Sequence, residues 1–383
     1  MQSRGRAASR SRSPSFLWIG AVAAYDALGY ALIGPILPAL RIRAHASPLA
    51  ASLMFAGLSI GMFAGFVVGG FVVARRGPRS AALGGVVFHL GADLLFIVGH
   101  SSAVYTAARV LQGLGSGLVW MAAVFAVLVL WPERPEPRLG RILTGYAMGS
   151  VAGPLVAALG GPVRPFVADA LLASVGFAAA ASFPSTTSRG FGWRGGVLRS
   201  RPLAFAIAMV TVVAVVISVL EGSYTFRFAT KLSQTGLAFL FTASTIAYGL
   251  GALLPVASRS PGKSRVSAQI GGAGCAALLL ALVGFDSVVW WFVLAVLLGV
   301  ALGATEAGVL SIAAGASERG LIAAVMVYSQ AFALGFLIGP PVATWLTTRF
   351  SVVASAAAVG GALLLASGAG FLVPEEAPSR SAG

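Results

Sequence analysis

The chain has 383 residues, of which 58% are hydrophobic and only 10% charged, with a formal net charge of +15. Soluble domains carry about 25% charged residues, so a single large water-soluble globule is excluded. The one cysteine, Cys275, rules out an intramolecular disulfide and a cysteine-rich metal site.

Residues 1–15 contain Arg4, Arg6, Arg10 and Arg12 with no cleavage site after the first apolar stretch, and read as an uncleaved basic cytoplasmic arm. Beyond them the apolar runs are near 20 residues or longer, not alternating ten-residue strands. Since every backbone polar group in lipid needs a partner within the protein, such runs are transmembrane helices. Twelve spans are predicted, over 16–38, 49–74, 80–99, 103–130, 139–161, 164–183, 202–226, 234–257, 266–285, 288–313, 320–346 and 351–373. The polar stretch 185–201 divides them into six-helix bundles at 16–184 and 202–373, and 374–383 is a cytoplasmic tail. The expected fold is therefore all-α and integral to the membrane, in two pseudo-symmetric bundles.

With the N-terminus inside, 19 of the 26 Lys and Arg residues fall on inner segments. Only Arg41, Arg43, Arg164, Arg227, Lys231 and Arg349 fall on outer ones, and Arg109 lies within a span. That bias predicts both termini in the cytoplasm of a plasma-membrane protein. The positive charge is thus a topology signal with a lesser pull on anionic lipid, and no nucleic-acid partner is expected. Trp18, Trp131, Trp290, Trp291 and Trp345 lie near span ends and read as interfacial anchors.

The sequence also repeats. Gly149, Gly153 and Pro154 in span 5 spell GxxxGP, and Gly335, Gly339 and Pro340 in span 11 spell it again. Small residues let helices approach, and a proline favours a kink, so both spans are expected to bend where the halves meet. The basic loops around Arg75–Arg79 and Arg259–Arg265 form a second repeated pair. A parallel repeat of this kind points to an alternating-access carrier.

Charge inside the bilayer costs about 2.5–3.5 kcal/mol per residue on insertion scales, so each such group needs a reason. The candidates are Asp26, Asp93, Arg109, Glu221 and Glu306, with His89. Asp26 lies roughly 15 Å deep at the rise of a helix, near the midplane, where a carboxyl can take up a proton from one side. Asp93 and Arg109 flank the turn at Ser101 at equal distances and are expected to pair, with Asp26 the competing partner. His89, Asp93 and His100 share one helix face, read first as a packing stripe and alternatively as a proton path. Tyr25, Tyr30, Trp120, Met121, Tyr224 and Tyr328 supply aromatic and soft side chains suited to an apolar ligand or to helix packing.

Four local patterns, in order on the expected spans, resemble the major facilitator superfamily, and within it the twelve-helix drug:proton antiporter branch. They are Asp26 with Gly29, Pro35 and Pro38; the loop Gly70, Arg75, Gly77 and Arg79; Arg109, Gln112, Gly113 and Gly115; and Gly149, Gly153 and Pro154. Two positions depart from the pattern: Ala74 replaces the loop's acidic residue, and Ala157 and Ala158 replace two glycines. The resemblance implies a non-enzymatic, proton-coupled exporter of a small hydrophobic or amphipathic compound. It implies helices 1, 4, 7 and 10 around a central cavity, Arg109 as a coupling residue, a monomer, and no cofactor beyond the proton gradient. Carriers of sugars, organic acids or amino acids are the alternative within the same fold.

Overall fold

In the computed structural model, residues 16–131, 136–187, 200–256, 261–315 and 321–372 are described. The expected N-terminal arm, most of the polar stretch between the halves and the C-terminal tail lie outside them.

The helices follow the predicted order: α1 (Phe16–Ala31), α2 (Ile33–Arg43), α3 (Pro48–Arg76), α4 (Pro78–Val98), α5 (Ser102–Leu130), α6 (Glu136–Ala157), α7 (Arg164–Ala181), α8 (Arg201–Val219), α9 (Thr225–Phe228), α10 (Gln234–Val256), α11 (Pro261–Gly284), α12 (Val288–Gly315), α13 (Leu321–Arg349) and α14 (Val352–Ala369). Their starts are legible locally. Ser47, Ser101, Ser200 and Ser351 cap α3, α5, α8 and α14 by accepting a backbone N–H, and proline opens α3, α4, α7 and α8.

Among the described residues, ten helices are long and apolar enough to cross a membrane, and α1 with α2 adds an eleventh as a bent pair. The more polar α6 fills the remaining fifth place. The seventh span runs continuously over Arg201–Phe228 through a π-helical turn at Leu220–Tyr224 between α8 and α9. The 41° bend between α1 and α2 follows from Pro35, whose ring disfavours a continuous helix over the preceding turn.

The halves pack alike. In the first, α3 lies on α5, α4 on α5 and α7, and α1 on α6. In the second, α10 lies on α12, α11 on α12 and α14, and α8 on α13. Close backbone contact carries the pairing. A Cβ at Gly113 of α5 would overlap the Leu58 carbonyl oxygen of α3, and one at Gly303 of α12 would overlap that of Tyr248 in α10.

The repeated GxxxGP glycines play the same part. Gly149 and Gly153 pack on the Ala24 and Leu28 carbonyls of α1, and Gly335 packs on that of Thr211 in α8. Across the halves α6 meets α10 and α13 meets α3, so both motif helices stand at the junction while their glycines face back into their own half. Both helices continue past their prolines, so the expected bend does not interrupt either one.

In the basic loop, Gly77 adopts φ +83°, where a side chain would be strained, and ends α3. The Arg79 side chain donates to the Phe183 carbonyl at 2.9 Å, tying this loop to the end of the sixth span. Arg75 lies 4.0 Å over the Phe71 ring, and a Cβ at Gly70 would meet only the end of the Met121 side chain. One expected anchor is corrected. Trp291 is fully buried and donates to the Phe285 carbonyl at 2.8 Å, because α12 turns it inward beneath Arg227 and Lys231.

Candidate functional site

A chain of polar groups runs from the junction of the halves into the first bundle. At the junction Tyr30 donates to Glu221 at 2.7 Å. Ser52 of α3 bonds the Gly222 carbonyl at 3.0 Å and the Thr344 hydroxyl at 2.5 Å. Gln234 reaches the carbonyl of Ala157 at 2.9 Å. Thr225 donates to the Gly34 carbonyl at 3.1 Å. That carbonyl is free because Pro38, four residues on, has no N–H to offer it. Two sequence features thus meet here: the prolines after Asp26 bend the first span and release an acceptor, and the π-turn in the seventh presents Glu221 and Gly222 to it. Phe55 and Phe336 stack below at 6.3 Å.

The Tyr30–Glu221 bond joins the two halves of the chain. Its loss in Tyr30→Phe would leave a buried acceptor without its donor, a change of about 1–3 kcal/mol, or roughly tenfold in the stability of this contact between the halves. Labelling of a cysteine at Phe55, in a Cys275→Ser background, by a water-soluble maleimide is expected to quicken by about that factor in Tyr30→Phe.

Arg109 is buried beneath this bond. Its guanidinium donates to Gln112 and lies 5.2 Å from the Phe55 ring and 6.0 Å from the Tyr30 ring. The expected Asp93–Arg109 pair does not form. Equal distance from a turn sets depth along a helix pair, but rotation of each helix about its axis decides which way a side chain faces. Here α5 turns Arg109 toward Tyr30 and Glu221, while α4 turns Asp93 toward Asp169 of α7.

Asp26 is 3% exposed. Its Oδ1 bonds His89 Nε2 at 2.7 Å and accepts from the Ser116 hydroxyl at 2.6 Å, and Tyr146 stands beside it. His89 therefore belongs to a polar cluster and not to a packing stripe. The ring of Tyr25 meets that of His89 edge-on at 5.6 Å. His100, by contrast, lies exposed at the end of the turn against Arg43, away from the other two. Asp169, which the sequence reading passed over, is fully buried. Its signal is a lone carboxylate in an apolar run, the same signal that singles out Asp93.

In the second half Glu306 of α12 accepts from Tyr328 at 3.2 Å and from Tyr248. Trp120 packs edge-on against Tyr146 at 5.4 Å, both half-buried. Tyr224 is buried on the far side of the seventh span and donates to Ser355 at 3.1 Å, a packing position.

A sequence profile described as Major Facilitator Superfamily matches residues 19–333. The chain belongs to the major facilitator superfamily. It is a multi-pass membrane protein of a transporter family, not an enzyme family. It is 33% identical over 112 residues to apicoplast pyruvate carrier 1 of Toxoplasma gondii, covering 28% of this chain and 20% of that protein. It is 26% identical over 186 residues to the drug efflux pump JefA of Mycobacterium tuberculosis, covering 48% and 31%. The matches thus span less than half the length of these curated relatives. Among solved structures, a D-xylose-proton symporter superposes with a TM-score of 0.76 at 16% identity, over 94% of this chain and 97% of that one. That likeness concerns the fold alone.

Proposed function

We propose that this superfamily member is a proton-driven exporter of small hydrophobic or amphipathic compounds, working by alternating access in the plasma membrane with both termini cytoplasmic. The observation that carries the reading is Asp26. It is the one carboxyl in the first span, buried, and hydrogen-bonded to a histidine and a serine that can exchange protons with it. In the protonated state its charge is gone and the lipid-depth cost falls, so the span can move. Loss of the proton restores a carboxylate that must be re-solvated from the other side.

Substrate contact falls to the half-buried surface of Tyr30, Trp120, Tyr146 and Tyr248, with Glu221 and Glu306 as the acids that would favour cationic compounds. Their rings accept varied apolar shapes, and no dense array of amide donors stands among them to read a sugar. The similarity to a drug efflux pump over about half of the chain agrees with this reading. The test is transport of a lipophilic cation such as ethidium by purified protein in liposomes under an imposed pH gradient. Accumulation that collapses with a protonophore is expected; accumulation indifferent to the gradient would overturn the proposal.

One observation favours a second reading, an organic-acid carrier. Two nitrogens of the buried Arg109 guanidinium, Nε and Nη2, meet no hydrogen-bond acceptor, and a pyruvate carrier is among the similar proteins. Under that reading Arg109→Lys, which loses the planar fork, would abolish pyruvate uptake; under the first, pyruvate is not moved at all.

A further inference from the structure

We infer that Asp93 and Asp169 form a second proton-holding centre, joined to Asp26 through the imidazole of His89. The inference rests on the proton-coupling reading above and adds a store behind the coupling residue.

Asp93 comes from α4 and Asp169 from α7, and neither is exposed at all. None of their four carboxylate oxygens receives an N–H or O–H from any other residue, yet the two groups face each other within hydrogen-bonding reach. Carboxylates only accept, so two of them bond each other only when a proton lies between them. Among the described residues no Lys or Arg faces the pair, and its one basic neighbour is the imidazole of His89. From α1 it faces Tyr25 and Asp26, from α4 His89, and from α5 Gln112, while Arg109 is turned away toward Tyr30 and Glu221.

The link to Asp26 depends on Gly29. At the position a Cβ would take there, Asp169 Oδ2 lies 2.9 Å away, Gln112 Nε2 3.0 Å and His89 Nδ1 3.3 Å. These three polar atoms converge on one point of backbone with no side chain between them, near enough to be joined through one water. His89 Nδ1 and Gln112 Nε2 are buried and have no other hydrogen-bond partner. The imidazole thus presents Nε2 to Asp26 at 2.7 Å and Nδ1 toward Asp169.

The transfer balances. The Asp26 carboxylic acid gives its proton to Nε2, and the ring releases the proton on Nδ1 to the pair. One proton leaves Asp26, one reaches the pair, and the imidazole remains neutral in its other tautomer. A pair that began with one shared proton ends with two and is uncharged. The ligand is a proton with its water and not a metal ion, since two of the three converging atoms are nitrogens of an amide and an imidazole, and a sodium or calcium site calls for oxygens.

The experiment is infrared difference spectroscopy of the purified protein in lipid, between neutral and acid pH, in H2O and D2O. A deuterium-sensitive carboxylic-acid band is expected that disappears in Asp93→Asn and in Asp169→Asn and persists in Asp26→Asn. In His89→Gln the band should remain while its deuteration slows by about tenfold or more, because the relay is gone. Each Asn keeps an amide to bond the remaining carboxyl, so folding is expected to survive. As a second readout, proton uptake after an acid jump, followed with pyranine, should fall by one proton per protein in Asp169→Asn. An unchanged band and unchanged uptake in both Asn variants would overturn the inference, as would displacement of the band by sodium at constant pH. Failure of the underlying coupling reading registers elsewhere, as unaltered gradient-driven transport by Asp26→Asn.

Discussion

Asparagine at position 26 is expected to abolish proton-driven transport while the protein still folds and inserts. The substitution keeps the shape of the side chain, and its Oδ1 can accept from both His89 and Ser116, at the present 2.7 and 2.6 Å. What it removes is the exchangeable proton. A purely structural Asp26 would therefore lose little, since its hydrogen bonds persist, whereas a coupling Asp26 loses its whole function. Liposomes holding the variant, given the same pH gradient and the same lipophilic cation, should accumulate it no faster than protein-free vesicles. Wild-type accumulation by the variant would remove Asp26 from the coupling role. The contrast with removing the residue outright matters here. An Asp26→Ala protein would leave His89 and Ser116 without their acceptor, a loss of about 1–3 kcal/mol per buried group, and could fail for that reason alone.

Valine at position 113 is expected to prevent assembly of the first bundle. A Cβ there would overlap the Leu58 carbonyl oxygen, and the obstacle is backbone, which cannot rotate aside as a side chain can. Overpacking a core by a methylene or two typically costs about 1–3 kcal/mol, and displacing a whole helix costs more, a large part of a marginal total stability. The equivalent contact of the second half, Gly303 against Tyr248, predicts the same outcome for Gly303→Val. Gly70→Ala is the control, because its Cβ would meet only the end of the Met121 side chain at 3.5 Å. Size-exclusion profiles and melting temperatures in detergent separate the two valine variants from the control. Gly113→Val that melts with wild type would mean that α3 and α5 do not approach so closely.

Much of the fold is legible in the residues. The spans follow from hydropathy, and many of their starts from Ser and Pro. The duplication shows in GxxxGP, and the glycines of that motif do seat helices, though on α1 and α8 within each half and not on the partner half. The candidate site is legible only in part. Asp26, Arg109, Glu221 and Glu306 stand out as charges in lipid. Their partners do not, because each comes from a helix distant in sequence: His89 for Asp26, Tyr30 for Glu221, Tyr248 for Glu306. Asp93 and Arg109 share a depth, and depth is not direction.

What the sequence determined by itself is that this chain lives in the membrane as repeated helices of the major facilitator type. Hydropathy and glycine spacing act residue by residue and need no neighbour to be read. Tertiary structure decided which buried charge meets which. That choice depends on how far each helix is rotated about its own axis, and a rotation of one residue, about 100°, turns a side chain from one neighbour to another. Thus Asp93 came to face Asp169, and Gly29 came to lie where three polar atoms converge.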